Sequence, residues 1–328
     1  MGIKVSKKAL ITGGAGFIGS HLVERLIGIG WNVTVLDKSS FADYKGMNEI
    51  SNQSEVNFQK IDITESDQIK ELDNDYDYIF HLAAELGVAN VLSAPYQILD
   101  SNIVSTRNMI KFAETNSRLN RFIFASTSEV YDGTLKCFNA EIPTTEQEPL
   151  TIENVSSPRS TYMLSKIVGE SYCQFADIPF TILRIFNTYG PRGGTRHVIP
   201  ELLERMHFVE TGKSIDVFSP NHTRSFCYVE DAVNQIFEIM SNSSCENQTI
   251  NLGNQTREIK IYDLAKICMQ TVGKDIQLNK IGETEGSAER RTPSMKKSME
   301  LTGYHPKISL EDGIAMTYSW YLDNVFKA

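Results

Sequence analysis

Near its start the chain carries the sequence Ala9-Leu10-Ile11-Thr12-Gly13-Gly14-Ala15-Gly16-Phe17-Ile18-Gly19, in which a short apolar run leads directly into a glycine-rich turn. Gly14, Gly16 and Gly19 have the GxGxxG spacing. The next residues, 20–29, show the apolar periodicity of an amphipathic helix. A strand, a glycine turn and a helix in this order allow a pyrophosphate to approach the backbone and to lie at the helix N-terminus. The stretch therefore predicts a dinucleotide-binding βαβ unit.

The charge at the end of the second predicted strand, 33–36, indicates which dinucleotide binds. Asp37 follows Gly19 by 18 residues, close to the spacing of about 20 at which an acidic residue meets the ribose. Its carboxylate would accept hydrogen bonds from the ribose hydroxyls and repel a 2′-phosphate, which favours NAD over NADP. The adjacent Lys38 would suit the 2′-phosphate instead. Asp62, after the third predicted strand, is placed either to meet the adenine or simply to cap the strand end.

The first half of the chain alternates short apolar runs with helical patterns, which is typical of a parallel sheet built from βαβ units. The predicted strands cover 9–11, 33–36, 56–61, 78–82, 121–125 and 180–184, and the longer helices cover 20–29, 99–116 and 160–175. We expect an α/β fold with a Rossmann-type doubly wound parallel sheet. After Asn187 the elements become shorter and less regular. We therefore place a dinucleotide-binding domain over 1–186 and a smaller C-terminal α/β substrate domain over 187–328, from which the chain is able to cross back to the first.

Length and composition exclude several other classes of protein. The chain has 328 residues, of which 41% are hydrophobic and 22% are charged, so disorder and fibrous repeats are excluded. The formal net charge of −9 gives no general attraction to nucleic acid or to an anionic membrane. The five cysteines form no CxxC motif, which favours a reducing cytosol over a disulfide framework or a zinc site. Because the first apolar run is too short for a signal peptide or a membrane span, we expect a cytoplasmic protein. Because there is no CxxC motif, we also expect no bound metal.

A tyrosine and a lysine in the last helix predicted for the sheet domain form a candidate catalytic pair. Tyr162 and Lys166 are four residues apart and so share one helix face. The ammonium would lower the pKa of the phenol, giving a base that removes a hydroxyl proton while a hydride leaves for NAD+. Tyr262 and Lys266 have the same spacing, but we interpret them as ordinary helix residues. Tyr162 differs in lying inside the sheet domain, 35 residues after Thr127.

Several motifs, in order along almost the whole chain, resemble those of the extended short-chain dehydrogenase/reductases, and more narrowly those of the branch that modifies nucleotide sugars. These motifs are the glycine loop, His81-Leu82-Ala83-Ala84, Ser126-Thr127-Ser128-Glu129-Val130-Tyr131, the Tyr162/Lys166 pair, Phe186-Asn187-Thr188-Tyr189-Gly190-Pro191-Arg192, Arg224-Ser225-Phe226-Cys227-Tyr228-Val229-Glu230-Asp231 and the tail over 291–313. The resemblance implies an NAD-dependent enzyme that oxidises a nucleotide-diphosphate sugar at C4. It also implies a homodimer in which two helices, here 99–116 and 160–175, pair as a four-helix interface.

By this resemblance, Thr127, Tyr162 and Lys166 form a catalytic triad. Thr127 would orient the sugar 4-hydroxyl, Tyr162 would take its proton, and Lys166 would also bind the nicotinamide ribose. Asn102 matches a family asparagine near the active site, although it would equally serve as a helix N-cap. The residues expected to contact the cofactor are Gly13, Gly16, Phe17, Ile18, Gly19, Asp37, Asp62, Ile63, Leu82, Ala83, Ala84, Asn102, Tyr162 and Lys166.

The groups beyond the triad decide which reaction comes after the oxidation at C4. A 4-epimerase needs no further base, because the keto sugar turns and is reduced on its other face. A 4,6-dehydratase needs a base for the C5 proton and help in expelling the C6 hydroxyl. A decarboxylase acts on a uronic acid, which loses CO2 readily once it has become a β-keto acid.

Glu129 is the informative residue among these groups. Two positions past Thr127 in a segment expected to be extended, it would project to the same side, although a surface position at the strand end is the alternative. The run Thr127-Ser128-Glu129 resembles that of UDP-glucuronate decarboxylases and is similar to that of GDP-mannose-type dehydratases. Ser128 departs from the Asp-Glu pair of the dTDP-glucose-type dehydratases, and both Ser128 and Glu129 join the expected catalytic residues. We expect a UDP-glucuronate decarboxylase, with a 4,6-dehydratase, a 4-epimerase and a non-catalytic NAD-binding regulator as the alternatives.

Four residues from Asn187 onward are expected to bind the nucleotide sugar, with UDP as the favoured nucleotide. Arg291 resembles the arginine that decarboxylases place near the substrate carboxylate or phosphates, and Arg224 and Asn187 resemble pyrophosphate ligands. Val198 is expected near the base and the diphosphate. Each arginine has an ordinary surface salt bridge as its alternative. Asp132 departs from the glycine that the family usually has after Val-Tyr.

Overall fold

The structure is a computed structural model that describes residues 6–41, 50, 52–85, 87–138, 140–283 and 288–327. The strands of this part are β1 (Lys8–Thr12), β2 (Asn32–Asp37), β3 (Val56–Lys60), β4 (Tyr78–His81), β5 (Arg121–Thr127), β6 (Phe180–Ile185), β7 (Thr188–Tyr189), β8 (Ser214–Val217), β9 (Thr223–Ser225), β10 (Cys227–Tyr228), β11 (Gln248–Leu252), β12 (Glu258–Lys260), β13 (Gln277–Lys280) and β14 (Arg290–Arg291). Its helices are α1 (Phe17–Ile27), α2 (Ser66–Lys70), α3 (Val88–Ser93), α4 (Pro95–Glu114), α5 (Asp132–Phe138), α6 (Pro158–Phe175), α7 (Val198–Phe208), α8 (Val229–Ser241), α9 (Ile261–Val272), α10 (Lys296–Thr302) and α11 (Leu310–Asn324). Short 3₁₀ segments in this part of the chain lie at Ser128–Tyr131 and Ser243–Cys245.

Seven of these strands form one parallel sheet in the order β3-β2-β1-β4-β5-β6-β11. The chain adds strands on one side of β1 as far as β3, and then on its other side from β4 onward. This reversal opens a crevice at the carboxyl ends of β1 and β4, which is where open α/β sheets bind their ligands. Residues 9–11 of β1 are fully buried, as expected for a strand covered on both faces. The predicted doubly wound parallel sheet is confirmed.

The elements predicted in the first half are present, with ends that differ by a few residues. α1 begins at Phe17, three residues before its predicted start, because Gly16 takes the N-cap position directly after the turn. α4 begins at Pro95, four residues before its predicted start. Proline is favoured in the first helical turn, since the N–H that it lacks has no partner there in any case.

One strand of the sheet comes from beyond residue 187. β11 pairs in parallel with β6, so the chain returns to the sheet after forming β7–β10. Its sequence, Gln248-Thr249-Ile250-Asn251-Leu252, is short and mixes polar with apolar residues, which is why periodicity does not predict it. The division into domains at residues 186 and 187 stays a prediction, whereas the sheet itself uses strands from both sides of that point.

The remaining strands form small sheets that place two predicted substrate residues side by side. β9 pairs with β12 and β14, β8 pairs with β13, and β7 pairs with β10. In the pairing of β9 with β14, Arg224 and Arg291 are register partners. Two arginines that are far apart in the sequence are therefore neighbours in the fold.

A buried ion pair fixes α6 against the sheet. Arg184 on β6 donates to Glu170 on α6 with an Nη2–Oε2 distance of 2.7 Å, and each side chain is only 7% exposed. Ser126 on β5 donates to the same carboxylate at 2.5 Å. Gly169 lies so close to the ring of Phe124 that an added Cβ would be 2.4 Å from it. The helix that carries the predicted catalytic pair is thus held tightly against β5.

We expect Glu170→Gln to lower the free energy of unfolding by about 3–5 kcal/mol, because it leaves the Arg184 guanidinium buried without its counter-charge. Urea unfolding followed by circular dichroism measures the change. Glu311→Gln is the matched control, since Glu311 and its partner Arg257 are each about half exposed. Such surface pairs contribute about 0–1 kcal/mol. Equal losses from the two substitutions would contradict the structural role of the buried pair.

Candidate active site

The glycine loop between β1 and α1 leaves its backbone open to a ligand. The N-cap residue Gly16 makes no side-chain cap bond, and the first turn of α1 contains no acidic residue. The N–H groups of this turn therefore remain for an anion at the positive end of the helix dipole. Gly13 has a φ of +71°, and an added Cβ would lie 2.8 Å from the backbone of Ala83. Glycine at this position is what allows the loop to pack against the segment that follows β4.

Asp37 lies at the end of β2, beside the glycine loop. Its carboxylate accepts hydrogen bonds from the backbone N–H of Ala15 at 3.2 Å and of Ser39 at 3.0 Å. The neighbouring Lys38 forms an ion pair with Glu85, which belongs to the segment after β4. The lysine that would suit a 2′-phosphate is thus already paired with a carboxylate.

Several other predicted cofactor residues lie near the carboxyl edge of the sheet. Some of them form turn hydrogen bonds or pack in the core. Asp62 accepts hydrogen bonds from the N–H of Thr64 at 2.9 Å and from its hydroxyl at 2.8 Å. It therefore caps the turn after β3, as the alternative interpretation predicts. Ile63 is buried in the core. The segment after β4 is partly exposed and contains Leu82, Ala83 and Ala84. Contacts between these residues and a cofactor stay predictions.

Asn102 lies inside α4, two turns after the helix begins at Pro95, so its interpretation as an N-cap is wrong. Its side-chain oxygen accepts a hydrogen bond from the N–H of Glu85 at 2.7 Å. Its amide nitrogen donates to the carbonyl of Glu85 at 2.9 Å and to the hydroxyl of Ser165 at 3.3 Å. Asn102 therefore ties the segment after β4 and the helix α6 to α4, and its direct contact with a cofactor stays a prediction.

The structure brings Thr127, Tyr162 and Lys166 together. Thr127 ends β5, and its side chain lies close to the hydroxyl of Tyr162 on α6. Nζ of Lys166 donates to the carbonyl of Ala125 at 2.7 Å and lies 5.9 Å from the centroid of the Tyr162 ring. Two hydroxyls and an ammonium group thus meet at the carboxyl end of β5.

Burial sets the protonation of the tyrosine and the lysine. It lowers the pKa of Lys166 to about 8, because the ammonium has lost its water. It raises the pKa of Tyr162, and the charge of nearby Glu129 raises it further. The prediction that Lys166 lowers the phenol pKa is therefore wrong for the protein by itself. The physical reason is that burial outweighs the ammonium, which lies over the ring and donates to Ala125 rather than to the phenol oxygen.

Glu129 lies near the triad in a backbone conformation that the sequence does not predict. β5 ends at Thr127, whose Oγ1 accepts a hydrogen bond from the N–H of Glu129 at 3.2 Å and so caps the 3₁₀ turn Ser128–Tyr131. The expected extended segment is wrong for this reason. The charge of Glu129 still raises the pKa of Tyr162, and the side chain is not exposed. The alternative interpretation of Glu129 as a surface residue is therefore also wrong. Burial raises the pKa of its carboxyl, and the neighbouring Ser128 is buried.

Arg224 and Arg291 are both largely buried, so neither forms the ordinary surface salt bridge that is its alternative. Arg291 donates through Nη2 to both carboxylate oxygens of Asp132, at 2.8 and 2.6 Å. The guanidinium of Arg224 donates to three backbone carbonyls, those of Thr223, Ala288 and Glu289. Burial lowers the pKa of Arg224 to about 10, and the charge of Arg291 contributes to this.

The other two predicted substrate residues lie at element ends. Asn187 follows β6 and donates from Nδ2 to the carbonyl of Ser225 at 3.1 Å, which links it to the strand of Arg224. Val198 begins α7 and packs partly against the core. Their contacts with a substrate stay predictions.

Asp132 is a site residue that the sequence reasoning misses, although it stands out as a departure from glycine. Its partner Arg291 lies 159 residues further along the chain, and no spacing rule connects the two. Arg159 near the start of α6 is a second such residue, since its charge acts on Glu129. The available signal was the presence of opposite charges in two motifs that the fold brings together.

Within the described ranges, no helix combines the length and apolar character needed to cross a membrane. The same residues include no group of three histidine, cysteine, aspartate or glutamate side chains arranged to hold a metal ion.

Comparison with known proteins relates the whole chain to enzymes of one family. Residues 9–253 match the model of the NAD dependent epimerase/dehydratase family. The chain is 31% identical over 326 residues to UDP-glucuronic acid decarboxylase 1 of Xenopus tropicalis, a match that covers 97% of this chain and 73% of the relative. It is 32% identical over 332 residues to UDP-N-acetyl-alpha-D-glucosaminuronate decarboxylase of Bacillus cytotoxicus, a match that covers 97% and 98% respectively.

Solved structures agree with this relationship. A UDP-glucose 4-epimerase from Thermotoga maritima, solved with UDP-glucose, has a TM-score of 0.82 at 28% identity and covers 96% of this chain and 99% of its own. An epimerase from Methanothermobacter thermautotrophicus has a TM-score of 0.85 at 26% identity, with 97% and 93% covered. The family's cofactor, NAD, fits the open glycine loop through its diphosphate and Asp37 through its ribose. In sequence and in fold, the chain belongs to the NAD-dependent epimerase/dehydratase family.

Proposed function

We propose that this enzyme removes CO2 from a UDP-linked uronic acid, UDP-glucuronate or a close analogue, through a bound 4-keto intermediate. The observation that carries the proposal is the carboxyl of Glu129, which lies beside Tyr162 and within the field of Arg291. Two relatives that are 31% and 32% identical bear the names of decarboxylases of UDP-linked uronic acids, and this supports the choice.

Thr127, Tyr162 and Lys166 perform the proton transfer of the first step. Thr127 and Tyr162 lie close together, so both hydroxyls are available at the place where the sugar 4-hydroxyl is proposed to bind. Tyr162 takes the hydroxyl proton as a phenolate and becomes the neutral phenol, and the charge of Lys166 stabilises the phenolate before the transfer. Because its pKa is about 8, Lys166 is mostly protonated at neutral pH. NAD supplies the hydride acceptor for C4 and, at the end of the cycle, the hydride donor.

Glu129 performs the proton transfer of the second step. Oxidation at C4 makes the C6 carboxylate that of a β-keto acid, so the C5–C6 bond breaks, CO2 leaves and the electron pair passes into the enolate of the C4 carbonyl. Glu129 then donates a proton to C5. Its raised pKa favours this, because the carboxyl keeps its proton to higher pH than an ordinary glutamate does. Tyr162 returns its proton to O4 as C4 is reduced, and the whole cycle consumes one solvent proton.

A 4,6-dehydratase is the second candidate. Asp132 already pairs with Arg291, which reduces the positive charge available to a substrate carboxylate and suits a neutral sugar. Glu129 would then act as the base at C5 while the C6 hydroxyl leaves as water. The mechanism of a 4-epimerase does not require a carboxyl such as that of Glu129. A non-catalytic NAD-binding regulator does not require the assembled pair of Tyr162 and Lys166.

We also propose that the enzyme works as a cytoplasmic homodimer. α4 and α6 pack against each other, and two large side chains at their ends, Tyr96 and Phe175, are exposed. The same two helices of a second copy would cover them as a four-helix interface. The cytoplasmic location rests on the cysteine pattern of the sequence.

Mass spectrometry of the products, after incubation with NAD and separate UDP- and GDP-sugars, tests the class of reaction. We expect a UDP-linked uronic acid to lose CO2, because it presents the C6 carboxylate that C4 oxidation activates. Loss of water from a neutral nucleotide hexose would instead make the enzyme a dehydratase, and changed retention at constant mass would make it an epimerase. No change in any sugar would contradict a catalytic role.

Two substitutions separate the triad from Glu129. We expect Tyr162→Phe to lower turnover by about 10²–10⁴-fold and to prevent C4 oxidation, because it removes the acid–base group. We expect Glu129→Gln to lower CO2 release by at least about 10²-fold while C4 oxidation persists. Tyr262→Phe is the matched control, since Tyr262 has the same spacing to Lys266 in α9 but is not a site residue.

Stopped-flow absorbance of the reduced nicotinamide reports C4 oxidation, and a coupled assay of CO2 reports the second step. Wild-type release of CO2 by Glu129→Gln would remove Glu129 from the mechanism. A large loss in Tyr262→Phe would show that the effect of Tyr162→Phe is not specific to the site.

A further inference from the structure

We propose that Asp132 is a positioning residue for Glu129: by holding Arg291 in a buried ion pair, it prevents the guanidinium from pairing with Glu129 and leaves that carboxyl available to the substrate. The inference rests on the proposed function, in which Glu129 exchanges a proton with C5. It concerns a position at which this chain departs from the usual glycine, so the resemblance to the family does not supply it.

Asp132 accepts the hydrogen bonds that the side chain of Arg291 donates within the site. Nη2 of Arg291 donates to Oδ1 at 2.8 Å and to Oδ2 at 2.6 Å, and the two side chains are 11% and 9% exposed. Charge-assisted hydrogen bonds of this length are among the strong ones in proteins. The carboxyl of Glu129, by contrast, has no hydrogen-bond partner in the part of the chain that the structure describes. One carboxylate is therefore paired and the other is not.

The local backbone explains why the two carboxyls compete for one arginine. Glu129 lies in the 3₁₀ turn Ser128–Tyr131, and Asp132 begins α5 directly after that turn. Residues three apart in a 3₁₀ helix lie one above the other, so both carboxyls face the field of Arg291. The charges of Asp132 and Glu129 both act on Arg291, so a short uncharged side chain at position 132 would leave Glu129 as the carboxylate with which the guanidinium can pair.

The charged groups around Glu129 come from several elements and act in opposite directions. Three arginines on β14, β9 and α6 favour its ionised form, and these are Arg291, Arg224 and Arg159. Burial and the charge of Asp132 favour the protonated form, and together they raise the pKa of Glu129. Tyr162 on α6 is close enough for the charge of Glu129 to raise its pKa. Asp132 therefore acts twice, because it repels the ionised form and neutralises the arginine that would otherwise attract it.

Arg291 keeps a donor for the substrate in this arrangement. Its Nε is buried and has no partner among the described residues, since Asp132 engages Nη2. Nε is thus a donor that remains for an oxygen of the bound nucleotide sugar, and the ion pair with Asp132 fixes the angle at which it is presented.

The test measures the ionisation of Glu129 when Asp132 is changed. In infrared spectra of the enzyme, the carboxyl band of Glu129 is the one that disappears in Glu129→Gln. We expect this band to titrate at a pH roughly 1–3 lower in Asp132→Asn than in the wild type, because Arg291 is released to Glu129. Protonated Glu129 is the active form, so the high-pH limb of CO2 release should move to lower pH by the same amount. Asp132→Glu keeps the charge and is expected to keep the wild-type profile.

Thermal unfolding establishes first that each variant is folded, and Asp132→Ser replaces Asp132→Asn if the latter is not. An unchanged titration midpoint in the folded variant would overturn the positioning role, and so would a rate lowered equally at every pH. Failure of the proposed function gives a different result, because the infrared titration reads the ionisation of Glu129 whether or not any uronic acid loses CO2.

Discussion

The hydrogen bond from Lys166 to the carbonyl of Ala125, made where α6 packs against β5, is the contact on which the site depends. It takes the ammonium out of water, which lowers its pKa to about 8, and it sets the place of Tyr162 one turn earlier. The ion pair of Arg184 with Glu170 holds the two elements at this separation. A displacement of about 1 Å in such a site costs on the order of 10²-fold in rate, so the buried ion pair contributes to catalysis as well as to stability.

The return of the chain to the sheet brings the second half of the site to the first. Asn251 on β11 accepts a hydrogen bond from the hydroxyl of Tyr131 at 2.9 Å and donates to the carbonyls of Thr144 at 2.9 Å and Ser294 at 3.3 Å. Tyr131 ends the turn that carries Glu129, and Ser294 lies just after Arg291. One buried amide thereby connects the segments that hold the acid and the arginine, which explains how residues far apart in the sequence lie close together.

Sequence patterns correctly predicted the features that depend on interactions between residues close together in the chain. The apolar strands, the glycine loop and the shared helix face of Tyr162 and Lys166 follow from spacing within a few residues, and the structure contains all of them. The features that the sequence did not predict depend on distant or competing interactions. Thr127 caps a turn and so ends β5 before Glu129, β11 joins the sheet by pairing with a strand far away in sequence, and Asp132 finds Arg291 only after folding. The pKa of Tyr162 was predicted in the wrong direction because burial outweighs a cation that lies over the ring.

The central step of the proposed mechanism is the gain of a proton at C5 of a uronic acid after CO2 is lost, while the hydrogen removed from C4 returns to C4. The most direct measurement is the reaction of UDP-glucuronate in D2O, with the product examined by mass spectrometry and proton NMR. The mechanism predicts a UDP-linked pentose with one deuterium at C5 and protium at C4. A recovered uronic acid with its carboxylate intact, or a decarboxylated product with no deuterium at C5, would contradict it.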